Sequence, residues 1–272
     1  MKILIDSETQ VLTISDREKE STVPLYDPAA FAVLSSQWTR VAWSLKYYHT
    51  YQWMGVPILQ LPEDLIRLQE VIFRLQPDLI IETGVFCGGS LVFAASLCES
   101  IGKGRVIGIE RDLRDDARQY LASHRLASRI SVIEGDSTAP EVIAALQRQW
   151  NPAEKVLVIL DSDHSAQHVE KELGVYAPFV TAGSCLIVED AVMKDLIDVP
   201  GGDPSWNWDN PGPAVDDFLS KHPEFYRLSP SLETADSPIK LPSPTFWPNG
   251  WLWRRSDVET GYCESDASKS VI

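Results

Sequence analysis

Two acid-bearing turns carry the chemical signal of this sequence. The apolar run 156-VLVIL-160 ends abruptly in Asp161, Ser162, Asp163 and His164, and 184-SCLIVED-190 ends in Glu189 and Asp190. Where two such strands lie side by side, the carboxylates of Asp161, Glu189 and Asp190 meet. Three oxygen ligands with no nearby Cys pair favour a hard cation, Mg²⁺ or Mn²⁺, with positions left for water or substrate. His164 follows three residues after Asp161, and a neutral imidazole there suits removal of a hydroxyl proton. His168 shares its helical face at i+4 and would support it, with an ordinary surface histidine as the competing reading. Asp163 reads first as an acid at a helix N-terminus.

Other inferred strands also end in acids or glycine. The turn 82-ETGVFCGGS-90 has Gly84, Gly88 and Gly89 spaced as Gly-x-x-x-Gly-Gly, which differs from the Gly-x-Gly-x-x-Gly dinucleotide fingerprint. Glu110 closes the next run, where an acid can accept both ribose hydroxyls, and Asp136 closes the one after, suited to an adenine amino group. Together these features point to an adenosine-containing ligand without a pyrophosphate. Thr83 and Ser90 flank the glycines and Ser137 follows Asp136, so all three are candidate cofactor contacts, with turn hydrogen bonding as the alternative.

The elements that must position these groups are legible in the hydrophobic pattern. Residues 78–84, 105–110, 129–136, 155–161 and 184–190 are short, nearly continuous apolar runs, separated mostly by helix-compatible segments. That alternation predicts a doubly wound, mostly parallel sheet, buried on both faces, with its ligands at the carboxyl ends of the strands. Residues 2–15 read as a β-hairpin, and 28–54 as a helical segment rich in aromatics. A helix opens at Pro62, Glu63 and Asp64, with Leu65, Leu68, Ile72 and Leu75 at helical spacing. Residues 199–213 form a turn-rich loop, followed by the helix AVDDFLSKH and two final strands, FYRL and GWLWRR, antiparallel at the sheet edge. Trp53, Trp206 and Trp208 are candidates to line a pocket, with packing as the competing reading.

The composition narrows the partners. With 24 Lys+Arg against 39 Asp+Glu, the net charge of −15 argues against nucleic acid and anionic membranes, so small molecules are the expected substrates. No run of about 18 apolar residues predicts a membrane span, and residues 1–10 lack a secretory pattern. The four cysteines show no paired spacing. A soluble, cytoplasmic protein is the expectation.

The combination of Gly-rich turn and strand-end acids resembles the class I S-adenosylmethionine-dependent methyltransferases. A longer match runs through 58-ILQLPEDLIRLQEVIFRLQPDLIIETGV, GGSLVFAASLCESIGKGRVIGIE, LVILDSDHSAQHVEKEL and FWPNGWLWRR. It is similar to the cephalosporin hydroxylase and rhamnosyl O-methyltransferase family. The resemblance implies a Rossmann-like α/β fold with a seven-stranded, mostly parallel sheet and an N-terminal hairpin and helical extension. On that reading residues 1–255 form one methyltransferase domain, divided into an extension and cap (1–77) and a core (78–255), and 256–272 form a flexible polar tail. It also implies S-adenosylmethionine as cofactor, bound by Glu82, Thr83, Gly84, Gly88, Ser90, Glu110, Asp136 and Ser137, and a divalent metal. Family members often carry His at the place of Cys87, Asn at Asp163 and Asp at Glu110. The expected reaction is Mg²⁺-assisted methylation of a hydroxyl on a small natural product or glycoside by a homo-oligomer. Two rivals stand beside it: a non-catalytic accessory protein of an oxygenase system, and an NAD-dependent oxidoreductase, which the absent dinucleotide fingerprint disfavours.

Overall fold

The computed structural model describes residues 1–16, 19–230, 239 and 244–256. Five strands form the parallel centre of the molecule: β6 (Leu79–Thr83), β7 (Arg105–Glu110), β8 (Ile130–Glu134), β9 (Val156–Leu160) and β10 (Cys185–Val188). Before them come β1 (Lys2–Asp6), β2 (Val11–Asp16), β3 (Lys19–Pro24) and a small hairpin of β4 (Gln52–Trp53) and β5 (Val56–Pro57). After them come β11 (Phe225–Arg227) and β12 (Trp251–Arg254). The main sheet has the order β11-β12-β10-β9-β6-β7-β8, with β10 and β11 both antiparallel to β12 and the other pairs parallel.

Helices α1 (Pro28–Ser44), α2 (Pro62–Leu75), α3 (Gly89–Ile101), α4 (Asp115–Ser123), α5 (Pro140–Gln149), α6 (Ala166–Tyr176) and α7 (Pro211–Lys221) complete the chain. Alternate side chains on a strand point to opposite faces, so each buried run feeds two cores. On β9, Leu157 and Ile159 pack with α2, α3, Trp247, Trp251 and Trp253. Val156, Val158 and Leu160 pack on the other face with residues of α5, α6 and α7. Burial on both faces is why these strands read as unbroken apolar runs.

The strand order reverses between β6 and β9, and a crevice opens at their carboxyl ends, where this topology places ligands. Gly84 makes the approach possible. Its φ is +84°, and a Cβ there would lie 1.9 Å from the Asp161 carbonyl oxygen. The turn after β6 can therefore lie against the turn after β9 only without a side chain.

The N-terminal hairpin is larger than the sequence suggests, because β3 pairs with β2 along six residues. Five of those six β3 residues are exposed, so no apolar alternation marks the strand. The loop 199–213 contains one 3-10 turn, Pro204–Asn207, and the start of α7. No helix among the described residues is long and apolar enough to cross a membrane. The tail expected over 256–272 lies outside the described residues apart from Arg255's neighbour Ser256.

Candidate active site

A cavity of about 460 Å³ occupies the crevice. One end is bounded by Gly84, Phe86, Glu110, Gly135, Asp136 and Ser137, the other by Trp43, Tyr48, His49, Gln60 and Phe246, with Asp161, Ser162, Asp163, His164, His168 and Asp190 between.

At the first end, Glu110 is anchored before any ligand arrives. Its Oε2 accepts the backbone N–H groups of Val85 and Phe86, each at 2.9 Å, and its Oε1 accepts that of Asp112 at 3.2 Å. Burial pushes its carboxyl up, but those amides outweigh burial and leave it below the ordinary value. Asp136 Oδ1 accepts from the Thr138 amide and hydroxyl, both at 2.8 Å, which holds it ionised too. Phe86 adopts a left-handed backbone (φ 45°) and is half exposed, with the Arg114 guanidinium 4.9 Å above its ring. Two fixed carboxylates with outer lone pairs, facing a glycine turn, suit the hydroxyls and amino group of an adenosine.

In the middle of the cavity, Asp161, His164 and Asp190 each present one ligand atom, and these atoms lie within 4.8 Å of one another. His164 Nε2 is 3.2 Å from Asp190 Oδ2 and 3.8 Å from Asp161 Oδ1. Asp190 reaches the cavity because its backbone is left-handed (φ 53°, ψ 22°), which turns it out of the strand direction that ends at Val188. Among non-glycine residues Asp and Asn tolerate that conformation best. Burial first, then the charges of Asp190 and Glu82, push Asp161 well above the carboxylate range; Glu189 is pushed the same way by burial, Asp161 and Glu82. Among the described residues only His164 forms an ion pair with any of these acids. Acids crowded this closely, with no Lys or Arg partner among the described residues, offer oxygen donors of the kind a hard cation takes.

Several expected contacts sit elsewhere. Glu189 was expected as a metal ligand beside Asp190, but it is 3% exposed and its Oε2 accepts Gln60 Nε2 at 2.5 Å. The left-handed backbone turns Asp190 into the cavity, while Glu189 lies buried against Asp161 and Gln60. The cluster on the cavity wall is thus Asp161, His164 and Asp190. Glu82 and Thr83 were expected to touch cofactor, yet they are 1% and 0% exposed. Glu82 takes the Ser90 hydroxyl, and burial pushes its carboxyl up to about 7. Gly88 and Ser90 line only a small neighbouring cavity of about 30 Å³. A Cβ on Gly88 would meet Leu121 at 3.0 Å, so packing and its φ of +84° already account for that glycine.

None of the three tryptophans singled out for the pocket lines it. Trp53 donates to Ser96 Oγ and packs edge-on to Phe93; Trp206 packs edge-on to Trp43; Trp208 is 67% exposed. The aromatic wall is instead Trp43, Tyr48 and Phe246, with Tyr48 edge-on to Phe246 at 5.4 Å. Burial and the Asp190 charge raise the Tyr48 hydroxyl, keeping it a neutral donor. Asp64 secures this wall from beneath, accepting the Thr245 hydroxyl and the Phe246 N–H, the latter at 2.8 Å. Gln60, His49 and Phe246 escaped the sequence reading. The aromatic density of 28–54 was the available signal for Tyr48, and nothing local marks Gln60 or Phe246.

The chain is similar to known proteins. The chain is 36% identical over 149 residues to a rhamnosyl O-methyltransferase of Mycobacterium leprae (strain TN), a match covering 53% of this chain and 62% of that protein's length. It is 31% identical over 216 residues to a rhamnosyl O-methyltransferase of Mycobacterium tuberculosis (strain ATCC 25618 / H37Rv), covering 76% of this chain and 82% of that one. A CmcI structure solved with Mg and SAM shares the fold at a TM-score of 0.53 and 20% identity, over 76% of this chain and 78% of that one. The family profile described as Rhamnosyl O-methyltransferase/CmcI matches residues 45–255, a span that includes every cavity residue named above except Trp43, and the chain belongs to that family.

Proposed function

We propose that this S-adenosylmethionine-dependent O-methyltransferase methylates a hydroxyl of a small glycoside or ring-shaped natural product, assisted by a divalent cation. The observation that carries the reading is the placement of the Asp161, His164 and Asp190 ligand atoms within one cavity, between anchored Glu110 and Asp136 and the aromatic wall.

Asp161 and Asp190 would hold the cation, with Mg²⁺ the better match to carboxylate oxygens and Mn²⁺ accepted by the same set. When bound, that ion supplies Lewis acidity to the acceptor hydroxyl. S-adenosylmethionine supplies the methyl group. Glu110 holds the ribose hydroxyls and Asp136, with Ser137, the adenine. With Asp161 and Asp190 engaged by a cation, His164 Nε2, now 3.2 Å from Asp190 Oδ2, would have its lone pair free to take the hydroxyl proton. Trp43, Tyr48 and Phe246 stack on the acceptor ring, hold its oxygen in line with the methyl and exclude water. The apolar ring faces of a deoxysugar suit such a wall, and the names of the mycobacterial relatives support that class. The free thiols Cys87, Cys98 and Cys185 support a cytoplasmic setting. Exposed Phe31, Trp38 and Tyr47 support a homo-oligomer.

The test is calorimetry on metal-stripped protein with S-adenosylmethionine, with NAD⁺ as control, then with Mg²⁺, followed by methyl transfer from labelled cofactor to a panel of rhamnosides and phenolic glycosides. Binding of adenosylmethionine alone, with Mg²⁺-dependent labelling of one hydroxyl, is expected. Equal binding of NAD⁺, or labelling indifferent to Mg²⁺, would defeat the reading.

A further inference from the structure

One face of α6 carries three residues whose polar atoms reach the turns around the cavity. His168, Glu172 and Tyr176 recur at i, i+4 and i+8, so they stack along the helix toward the sheet. Each ends on a turn beside the cavity. Tyr176 Oη donates to the Ser137 carbonyl at 2.6 Å. His168 Nε2 lies 3.0 Å from Ser137 Oγ and 3.4 Å from Glu172 Oε1. Ser162 Oγ donates to that same Glu172 Oε1 at 2.7 Å. Glu172 is 1% exposed, and its Oε2 has no hydrogen-bond partner among the described residues. A leucine would fill the same place without the cost of burying a carboxylate, so the acid is there for what it joins.

We propose that His168 and Glu172 are positioning residues, which with Tyr176 tie the turn after β8 to the turn after β9 and fix the Ser137 hydroxyl as a donor to the adenine ring. The inference rests on the reading that the adenosyl group lies against Asp136 and Ser137. The hydrogen polarity follows from the partners. His168 Nε2 sits between two acceptor oxygens, Ser137 Oγ and Glu172 Oε1, and one imidazole N–H shared between them serves both. Ser137 Oγ then accepts from Nε2, and its own proton is free for a ring nitrogen of a ligand in the cavity. His168 faces Glu172 on its own helix, and Asp136 and Asp163 on the two turns. The Glu172 hydrogen bond, stronger than the opposing burial, raises the imidazole above its ordinary value and keeps that donor in place. Glu172 holds Ser162, next to Asp161, by the same oxygen, so the cofactor turn and the cation turn share one anchor.

The test compares His168→Phe, which keeps a ring and loses the donor, with His168→Gln, whose Nε2 restores it. The readouts are the dissociation constant for S-adenosylhomocysteine, the affinity for Mn²⁺ and the melting temperature. His168→Phe is expected to weaken S-adenosylhomocysteine about tenfold, the effect of one lost hydrogen bond, with Mn²⁺ affinity changed less than about twofold. His168→Gln is expected to recover most of the loss. In a Ser137→Ala background, His168→Phe should add little, because both act through one hydroxyl. Additive losses, failure of His168→Gln to recover, or unchanged affinity in His168→Phe would each overturn the proposal. Glu110→Ala separates the two layers. If it weakens S-adenosylhomocysteine while His168→Phe does not, the positioning role alone fails; if neither does, the adenosyl placement fails with it.

Discussion

At the scale of single residues, the site divides into groups that should fail in different ways. Asp161→Ala should abolish cation binding and metal-dependent turnover while leaving adenosylmethionine affinity within about threefold, since no contact of the Glu110 end depends on its side chain. Glu110→Ala should do the reverse. It loses a charged acceptor and also releases the Val85 and Phe86 amides, so cofactor affinity should fall about 10- to 100-fold with the Mn²⁺ isotherm unchanged. Loss of cofactor binding in Asp161→Ala, with the cation still bound, would exchange the two assignments. His164 has two exclusive roles, because Nε2 either ligates or takes the proton. As a base, it leaves no nitrogen coupling in the electron paramagnetic resonance of bound Mn²⁺; a coupling lost in His164→Gln would make it a ligand. The acids of this site were legible because each ends an apolar run, which fixes both its strand and its height in the sheet. Glu189 meets Asp161, as strand adjacency implies, but its burial against Gln60 could not be read from sequence order. Gln60 was invisible, since a lone amide before a helix carries no pattern, and only the fold brings it against Glu189.

At the scale of elements, the sheet was readable because both of its faces are covered, and an uninterrupted apolar run of about five residues fits few other structures. Sheet order was not readable from the runs themselves; the family resemblance implied only a seven-stranded, mostly parallel sheet. The third N-terminal strand, Lys19–Pro24, was missed because hydrogen bonds to β2 hold it and almost none of it is buried. The junction of β6 and β9 is the element-level feature on which the site depends. Gly84→Ala forces a Cβ to within 1.9 Å of the Asp161 carbonyl oxygen, and the flanking strands are locked by their register. The turns must separate, at a cost of more than about 3 kcal/mol. Chemical denaturation should record that loss, and any folded fraction should show weakened cofactor and cation binding together. A Gly84→Ala protein of wild-type stability would mean the two turns do not touch in solution.

At the scale of the whole molecule, α2 and the segment leading into β12 are joined by one buried acid. Asp64 opens α2, while Thr245 and Phe246 lead into β12, more than 180 residues later, and no local signal could have paired them. Asp64 is 3% exposed, and burial pushes its carboxyl from 3.8 up to about 7 against the pull of its two hydrogen bonds. The folded protein therefore keeps a proton between about pH 4 and pH 7 that the unfolded chain has released. With more protons on the native state, stability must fall as pH rises through that window, by about 1.4 kcal/mol per pH unit at its steepest. Asn copies the protonated acid. Its oxygen can accept the Phe246 N–H, and its amide can donate to Thr245 Oγ1, which already accepts the Trp247 N–H at 2.9 Å. Asp64→Asn should thus lack this slope, gaining roughly 2–4 kcal/mol on wild type between pH 4 and pH 8 in paired urea titrations. Because Phe246 belongs to the aromatic wall, the variant should also hold its acceptor affinity more constant across the same range. Parallel stability profiles for the two proteins would show that Asp64 is ionised in the fold throughout, and that its two hydrogen bonds outweigh its burial.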